Sequence, residues 1–376
     1  MTGMVMLMVL LVVFAGVTLA MTPWIMPPTE CFAVTVPPSA QRDPRVRGYK
    51  FAYAGAVMAS AVACAVVLYL VLRQSMGAVE LTGVQLDHMT VAILALTFVP
   101  MVVGLVLMLY FRARVRQLKQ NEGWLSTASR ATAVVGGNVP RPISLAWNLL
   151  YVPVVAGMVL FAVGAYDRFP DVIPMQADFA GNVTHTVPKS LGAVTYPALV
   201  TGFLGLVFTA THAMTLVSKR PVDPAAPATS ALAYGRFVRI QTLTMLVGGL
   251  VISIVTGVSF FMSALGKISL LTAGLMVGLV AIAWAMALLG VSVVTGQSGS
   301  RLAAELRPND ALLRDDDACW KLGMFYWNPK DPSIIVPKRF GVGWTINYAR
   351  PEAWAISGGL VVLTVVFVML TNSFAG

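Results

Sequence analysis

Asp178, His185 and Lys189 bring acid, base and metal-ligand chemistry within one short loop, Phe169–Lys189. A metal there would need Asp178 and His185 to converge with a third ligand, and the spacing does not compel that. The rest of the chain adds little. His88 and His212 are the other histidines, and Cys31, Cys64 and Cys319 are far apart with no CxxC pair. No HExxH, GxSxG or paired-carboxylate arrangement is present. The reading is a non-enzymatic protein with no cofactor and no metal. Pro170, Pro174 and Pro188 fix φ and remove backbone donors, which predicts an extended, stiff loop rather than a helix. Gly181-Asn182 is a tight-turn signal. The plainest role for such a loop is a structured cap between two helices. Asn182-Val-Thr184 matches a glycosylation acceptor but carries no weight without a eukaryotic context.

The elements that must position this loop follow from composition. Hydrophobic residues are 57% of the chain, charged residues 11%, and mean hydropathy is +0.78. Soluble domains carry about 25% charged residues, so lipid is the expected solvent. Apolar runs at about 4–26, 51–72, 88–111, 144–165, 191–217, 238–262, 268–295 and 353–370 predict eight spans. The first run lacks the positive n-region of a cleaved signal and is read as a retained helix, Thr18-Leu-Ala20 being the one feature that would suit cleavage. The expected divisions are a three-helix region 1–143, a helix-loop-helix domain 144–217, a two-helix region 218–295, a module 296–352 and a last helix 353–376.

The links after spans one, three, five and seven hold four, six, four and eight Lys/Arg, against one, two and one in the others. Taking the basic side as cytoplasmic places both termini and the 169–189 loop outside. The net charge of +10 is therefore a topology signal rather than a nucleic-acid signal. None of the spans has an ionisable group near its centre, which argues against proton-coupled transport. Pro100, Pro153 and Pro197 are candidate helix breaks, with simple kinks the stronger reading. Gly274-Leu-Met-Val-Gly278 fits helix packing, within the chain or between two copies.

Pro170, Ile173, Pro174, Asp178, Gly181 and Lys189 follow an order that resembles a bacterial membrane-domain family of unknown function, with a P-x-x-I-P-x-H-x-(N/D)-x-x-G loop followed by a lysine. The same domain occurs in SdpI-type immunity proteins, which protect a cell from its own secreted toxin and can sequester a repressor at the membrane. Gln176 stands where that pattern has His, so a mechanism needing an imidazole there does not carry over. The resemblance implies a recognition loop made of Pro170, Ile173, Pro174, Gln176, Asp178, Gly181, His185 and Lys189.

The second polar region is Cys319–Pro351. Asn328-Pro-Lys-Asp-Pro332 reads as a turn, Ser333–Val336 as a strand, and Phe340-Gly-Val-Gly-Trp344 as a second turn before Thr345–Tyr348. Its rings and cations suit a lipid headgroup layer. Single-stranded nucleic acid is the competing reading, disfavoured by the adjoining membrane helix and by Asp315-Asp-Asp317. The segment resembles a small C-terminal module appended to the same family. That resemblance rests on Tyr326, Asn328, Pro329, Asp331, Pro332, Pro337, Lys338, Arg339, Gly341, Gly343, Trp344 and Asn347.

The expectation is an all-α polytopic integral membrane bundle of about eight transmembrane helices, with a small cytoplasmic β-hairpin-like module before the last. It would sit in a bacterial cytoplasmic membrane as an immunity or signalling protein. Its expected partners are the lipid bilayer, a peptide toxin or envelope ligand outside, and a cytoplasmic regulator. A transporter using proline-broken helices and an outward-facing membrane enzyme are the alternatives.

Overall fold

Apolar runs that leave no water for their backbone groups must satisfy them internally, and helices do so. The computed structural model describes residues 2–75, 83–124, 139–178, 181–221, 227–304 and 315–375. Eight of its helices are long and apolar enough to cross a membrane. These are α1 Thr2–Ile25, α2 Pro44–Ser75, α3 Gly83–Asn121, α4 Tyr151–Gly164, α5 Leu191–Val217, α6 Pro227–Ala264, α7 Leu270–Thr295 and α9 Pro351–Ala375, α8 being the short Ser300–Ala304. A 3₁₀ turn, Leu145–Leu150, leads into α4. Glu80, Arg130 and Asp223, which belong to the charge pattern, lie outside the described residues.

Two helices outrun their apolar cores at the basic end. α2 begins at Pro44 and α3 continues through Arg112, Arg114, Arg116 and Lys119. Hydropathy marks only the lipid-facing stretch, whereas Arg and Lys are good helix formers that carry the turn ladder into water. Pro100 and Pro197 lie inside uninterrupted helices, and Pro153 sits in the first turn of α4. No proline breaks a described helix.

α1, α2 and α3 pack together, as do α4, α5, α6 and α7, and α1 also packs on α7. The α1–α7 seam uses the small residues noted in the sequence. A Cβ on Gly278 would lie 2.4 Å from a methyl of Leu7, so the Leu7 side chain packs into the space that glycine leaves. Within the chain, Gly274 and Gly278 face Met4 and Leu7 of α1.

Four two-stranded antiparallel hairpins fill the links. They pair β1 Glu30–Cys31 with β2 Val34–Thr35, β3 Val172–Ala177 with β4 Val183–Pro188, β5 Trp320–Lys321 with β6 Phe325–Tyr326, and β7 Ile335–Pro337 with β8 Trp344–Ile346. The stretch expected to be extended and stiff rather than helical is a β3–β4 hairpin, with register shifts around Gln176. A two-stranded ribbon has open edges, so Pro174 and Pro188 cost it no inner ladder bond. The other three hairpins meet at the basic end, where residues of the first, third, fifth and seventh links bond to one another.

Candidate functional site

The densest chemistry lies at the basic end, and it starts from a strained turn. Phe32 and Ala33 both have positive φ, 44° and 58°, as a two-residue hairpin of this hand requires. Non-glycine residues seldom accept that backbone. Phe32 is held there by complete burial, with ring centroids 5.2 Å from Phe111, 5.5 Å from Tyr53 and 5.9 Å from Phe340. The turn presents the Ala33 carbonyl to Arg112 and, at 3.3 Å, to Arg339.

Arg339 is 4% exposed. Its guanidinium donates to Asp316, Asp317 and, at 2.9 Å, the Thr35 hydroxyl; Glu30 lies 3.7 Å away and the Trp320 ring 5.4 Å away. Asp317 also accepts from Thr35 N at 3.0 Å and Lys119 Nζ at 2.8 Å, and Lys119 reaches Asp315 at 2.6 Å. Arg112 donates to Trp320 O at 3.2 Å. Three cations (Arg112, Lys119, Arg339) and four carboxylates (Glu30, Asp315, Asp316, Asp317) thus join the first link, α3 and the C-terminal module. Burial alone would raise the Asp317 pKa, but the Arg339 charge and the Lys119, Arg339 and Thr35 hydrogen bonds hold it well below the carboxylate range. Burial opposes the Arg339 charge, yet the surrounding carboxylates keep its pKa raised. Burial also pushes the Cys31 thiol up to about 12, so it stays protonated and unreactive. Gly323, at φ +75°, closes the β5–β6 turn against this cluster; a Cβ there would come within 2.7 Å of Arg112.

A second knot stabilises the module itself. Asn347, fully buried, donates to the carbonyls of Asn328, Asp331 and Ser333 and accepts from Asn328 N at 3.0 Å. Tyr326 donates to Asp331 at 2.7 Å, Lys219 pairs with the same carboxylate, and Lys219 N donates to Ile335 O at 2.8 Å. Burial works against the Asp331 charge, but Lys219 and the Ser333 and Tyr326 hydrogen bonds lower its pKa to about 2. Gly341 and Gly343 take positive φ, 96° and 103°, in the turn that lets Lys338 N bond Gly343 O. Pro329 and Pro332 flank the 328–332 turn, and Pro337 ends β7. The module was expected to spread its rings through a headgroup layer. Instead Trp320 and Tyr326 are buried, Phe340 stacks into the α1–α3 core and Trp344 packs on Tyr234 and Phe237. The reason is the glycine turns, which fold the strand pairs back onto the bundle. Phe325 and Trp327 remain exposed.

The hairpin at the opposite end is held at both extremities. At its base Lys189 Nζ donates to Phe169 O at 3.1 Å, lies 3.6 Å from the Asp171 carboxylate and 5.2 Å from the Tyr166 ring centre. Ile173 and Val187 pair across the ladder and bury against Phe169 and Phe261. At its tip the Asp178 carboxylate accepts from Asn182 N and Nδ2 at 2.8 and 2.9 Å, and Gly181, φ +92°, rests on Leu271. Asp178 and Lys189 are therefore separated by the six-residue strand β4, about 20 Å. Asp178 at the tip and Lys189 at the base thus do not converge on one point. Among the described residues no group of three or more His, Cys, Asp or Glu could hold a metal ion. Ile173, Asp178, Gly181 and Lys189 shape the hairpin; Pro170, Gln176 and His185 are exposed, and Gln176 and His185 are partners in register.

Sequence reading missed Glu30–Thr35, whose closing β-branched run Val34-Thr-Val36 was its only signal. It also missed the polar pocket of α4–α6, where buried His212 accepts from Asn148 Nδ2 at 2.8 Å and donates to Ile143 O at 3.1 Å.

Residues 329–354 match a family of unknown function, DUF5808. The matched stretch holds Asp331, Arg339, Gly341, Gly343 and Asn347, the residues that fold and dock the module. No curated protein and no solved structure matches the chain.

Proposed function

We propose that this chain is a bacterial inner-membrane protein of the toxin-immunity or signal-transduction type, with the β3–β4 hairpin as an outward recognition surface and the basic-end module as its cytoplasmic anchor or relay. The observation that carries this reading is the path of α5. Ser190, immediately after the hairpin, caps α5 by accepting from Ala193 N at 3.1 Å. Lys219, two residues beyond the other end of α5, is bonded to Ile335 and Asp331 of the module. One 27-residue helix therefore joins the two polar regions. The positive-inside bias supports the sidedness, and the P-x-x-I-P order of the hairpin supports the immunity class. With Gln176 in place of His, the surface binds rather than catalyses. Exposed Phe325, Trp327, Lys330 and Lys338 are where a cytoplasmic regulator would meet the module.

Survival tests the reading. Cells expressing the protein should tolerate the secreted peptides of the host bacterium better than cells without it, and Gln176→Ala/His185→Ala should lose that tolerance. A transporter would instead move solute in proteoliposomes, and the intact helices around Pro100 and Pro197 lend no support to the broken-helix site it would use.

A further inference from the structure

A groove of about 1020 Å³ runs between α4, α5 and α9. Val152, Val155 and Val159 of α4, Leu199 and Leu206 of α5 and Val366 of α9 represent its lining. Thr195 and Thr209 mark its two ends on α5, and both hydroxyls are already spent on their own helix, bonding Leu191 O and Gly205 O at 2.7 Å. The stretch between them is about 21 Å long, more than one leaflet of a hydrocarbon core about 30 Å thick. Asn148, at the basic end of the groove, keeps a buried Oδ1 without a hydrogen-bond partner.

We propose that this groove is a specific site for an acyl chain of an anionic phospholipid whose phosphate lies at the basic end. The charges at the two ends of the three walls decide the headgroup. At the basic end Arg141 precedes α4, Arg220 follows α5 and Arg350 precedes α9; Arg141 and Arg220 are exposed, and Arg350 faces Glu352 at 3.4 Å. At the opposite end α9 finishes without a charged residue, exposed Arg168 beyond α4 has Asp167 next to it in sequence, and Lys189 beside α5 is bonded to Phe169 O and near the Asp171 carboxylate. Basic pockets between transmembrane helices bind anionic headgroups, and each Lys or Arg near the membrane surface adds attraction. A zwitterionic lipid would gain the same apolar burial without that attraction. The site does not depend on what the hairpin recognises.

Native mass spectrometry of the full-length protein, released from nanodiscs with equal phosphatidylglycerol and phosphatidylcholine, tests this. One phosphatidylglycerol should be retained per chain, preferred roughly thirtyfold for two arginines. Arg141→Gln/Arg220→Gln should bring the preference towards unity. Gly202→Trp should empty the groove, since a Cβ at 202 meets only Val155 methyls, at 3.8 and 4.0 Å. Ala156→Trp blocks it from the facing wall, and the thermal transition of each variant reports whether the fold survives. Equal retention of both lipids, retention unchanged in folded Trp variants, or a second protein chain in place of the lipid would overturn the proposal.

Discussion

The two ends of the bundle use their polar residues in opposite ways. At the basic end Arg339, Asp331 and Asn347 are all less than a tenth exposed; Arg339 and Asp331 bond residues of other links, and Asn347 ties the module to itself. At the other end the hairpin is fastened at its base and tip, leaving Gln176, Thr184, His185 and Thr186 exposed. Burial of charge is costly unless partners replace water, so the first arrangement is one of stability and the second one of availability. The motif richest in unusual residues is thus the scaffold, and the plainer strand pair is the more exposed surface, the one proposed above for recognition.

Arg339→Ala is the largest test of this contrast. It leaves Asp316, Asp317 and Glu30 without their guanidinium, and removing one partner of a buried charge cluster costs about 3–5 kcal/mol. Thermal unfolding in detergent and new protease cleavage within 315–350 should report it. Asn347→Ala should cost about 1–3 kcal/mol through orphaned backbone groups, read by the same melt. Acid comes next. Asp317 and Asp331 have folded pKa values below 3.8, so their contribution is complete above that value and is lost as the pH falls through the folded pKa, about 2 for Asp331. Tryptophan fluorescence from Trp320 and Trp344 should therefore shift between about pH 4 and pH 2, with a smaller step in Asp331→Asn. The smallest stability change belongs to Gln176→Ala/His185→Ala, within about 0.5 kcal/mol of the parent.

Much of this fold is legible in the chain. α5 runs from Leu191 to Val217 as its apolar run does, because Ser190 caps it and the proline-rich hairpin precedes it. The turns at 328–332 and 340–344 announce the C-terminal module through their prolines and glycines. The β3–β4 pairing is hidden because its two prolines, Pro174 and Pro188, read as breakers when taken singly, and a two-stranded ribbon tolerates them. The docking of Arg339 on Thr35 is illegible for a different reason. The partners are 304 positions apart, and only the return of the helices to one face brings them together. Asp315–Asp317, in the sequence only a feature that disfavours nucleic-acid binding, supplies the counter-charges for Lys119 and Arg339.

The contrast between scaffold and surface is tested most directly by measuring survival and thermal stability side by side in Gln176→Ala/His185→Ala. The account predicts lost protection against the host's secreted peptides with an unchanged melting transition. Full protection in that folded variant would contradict it.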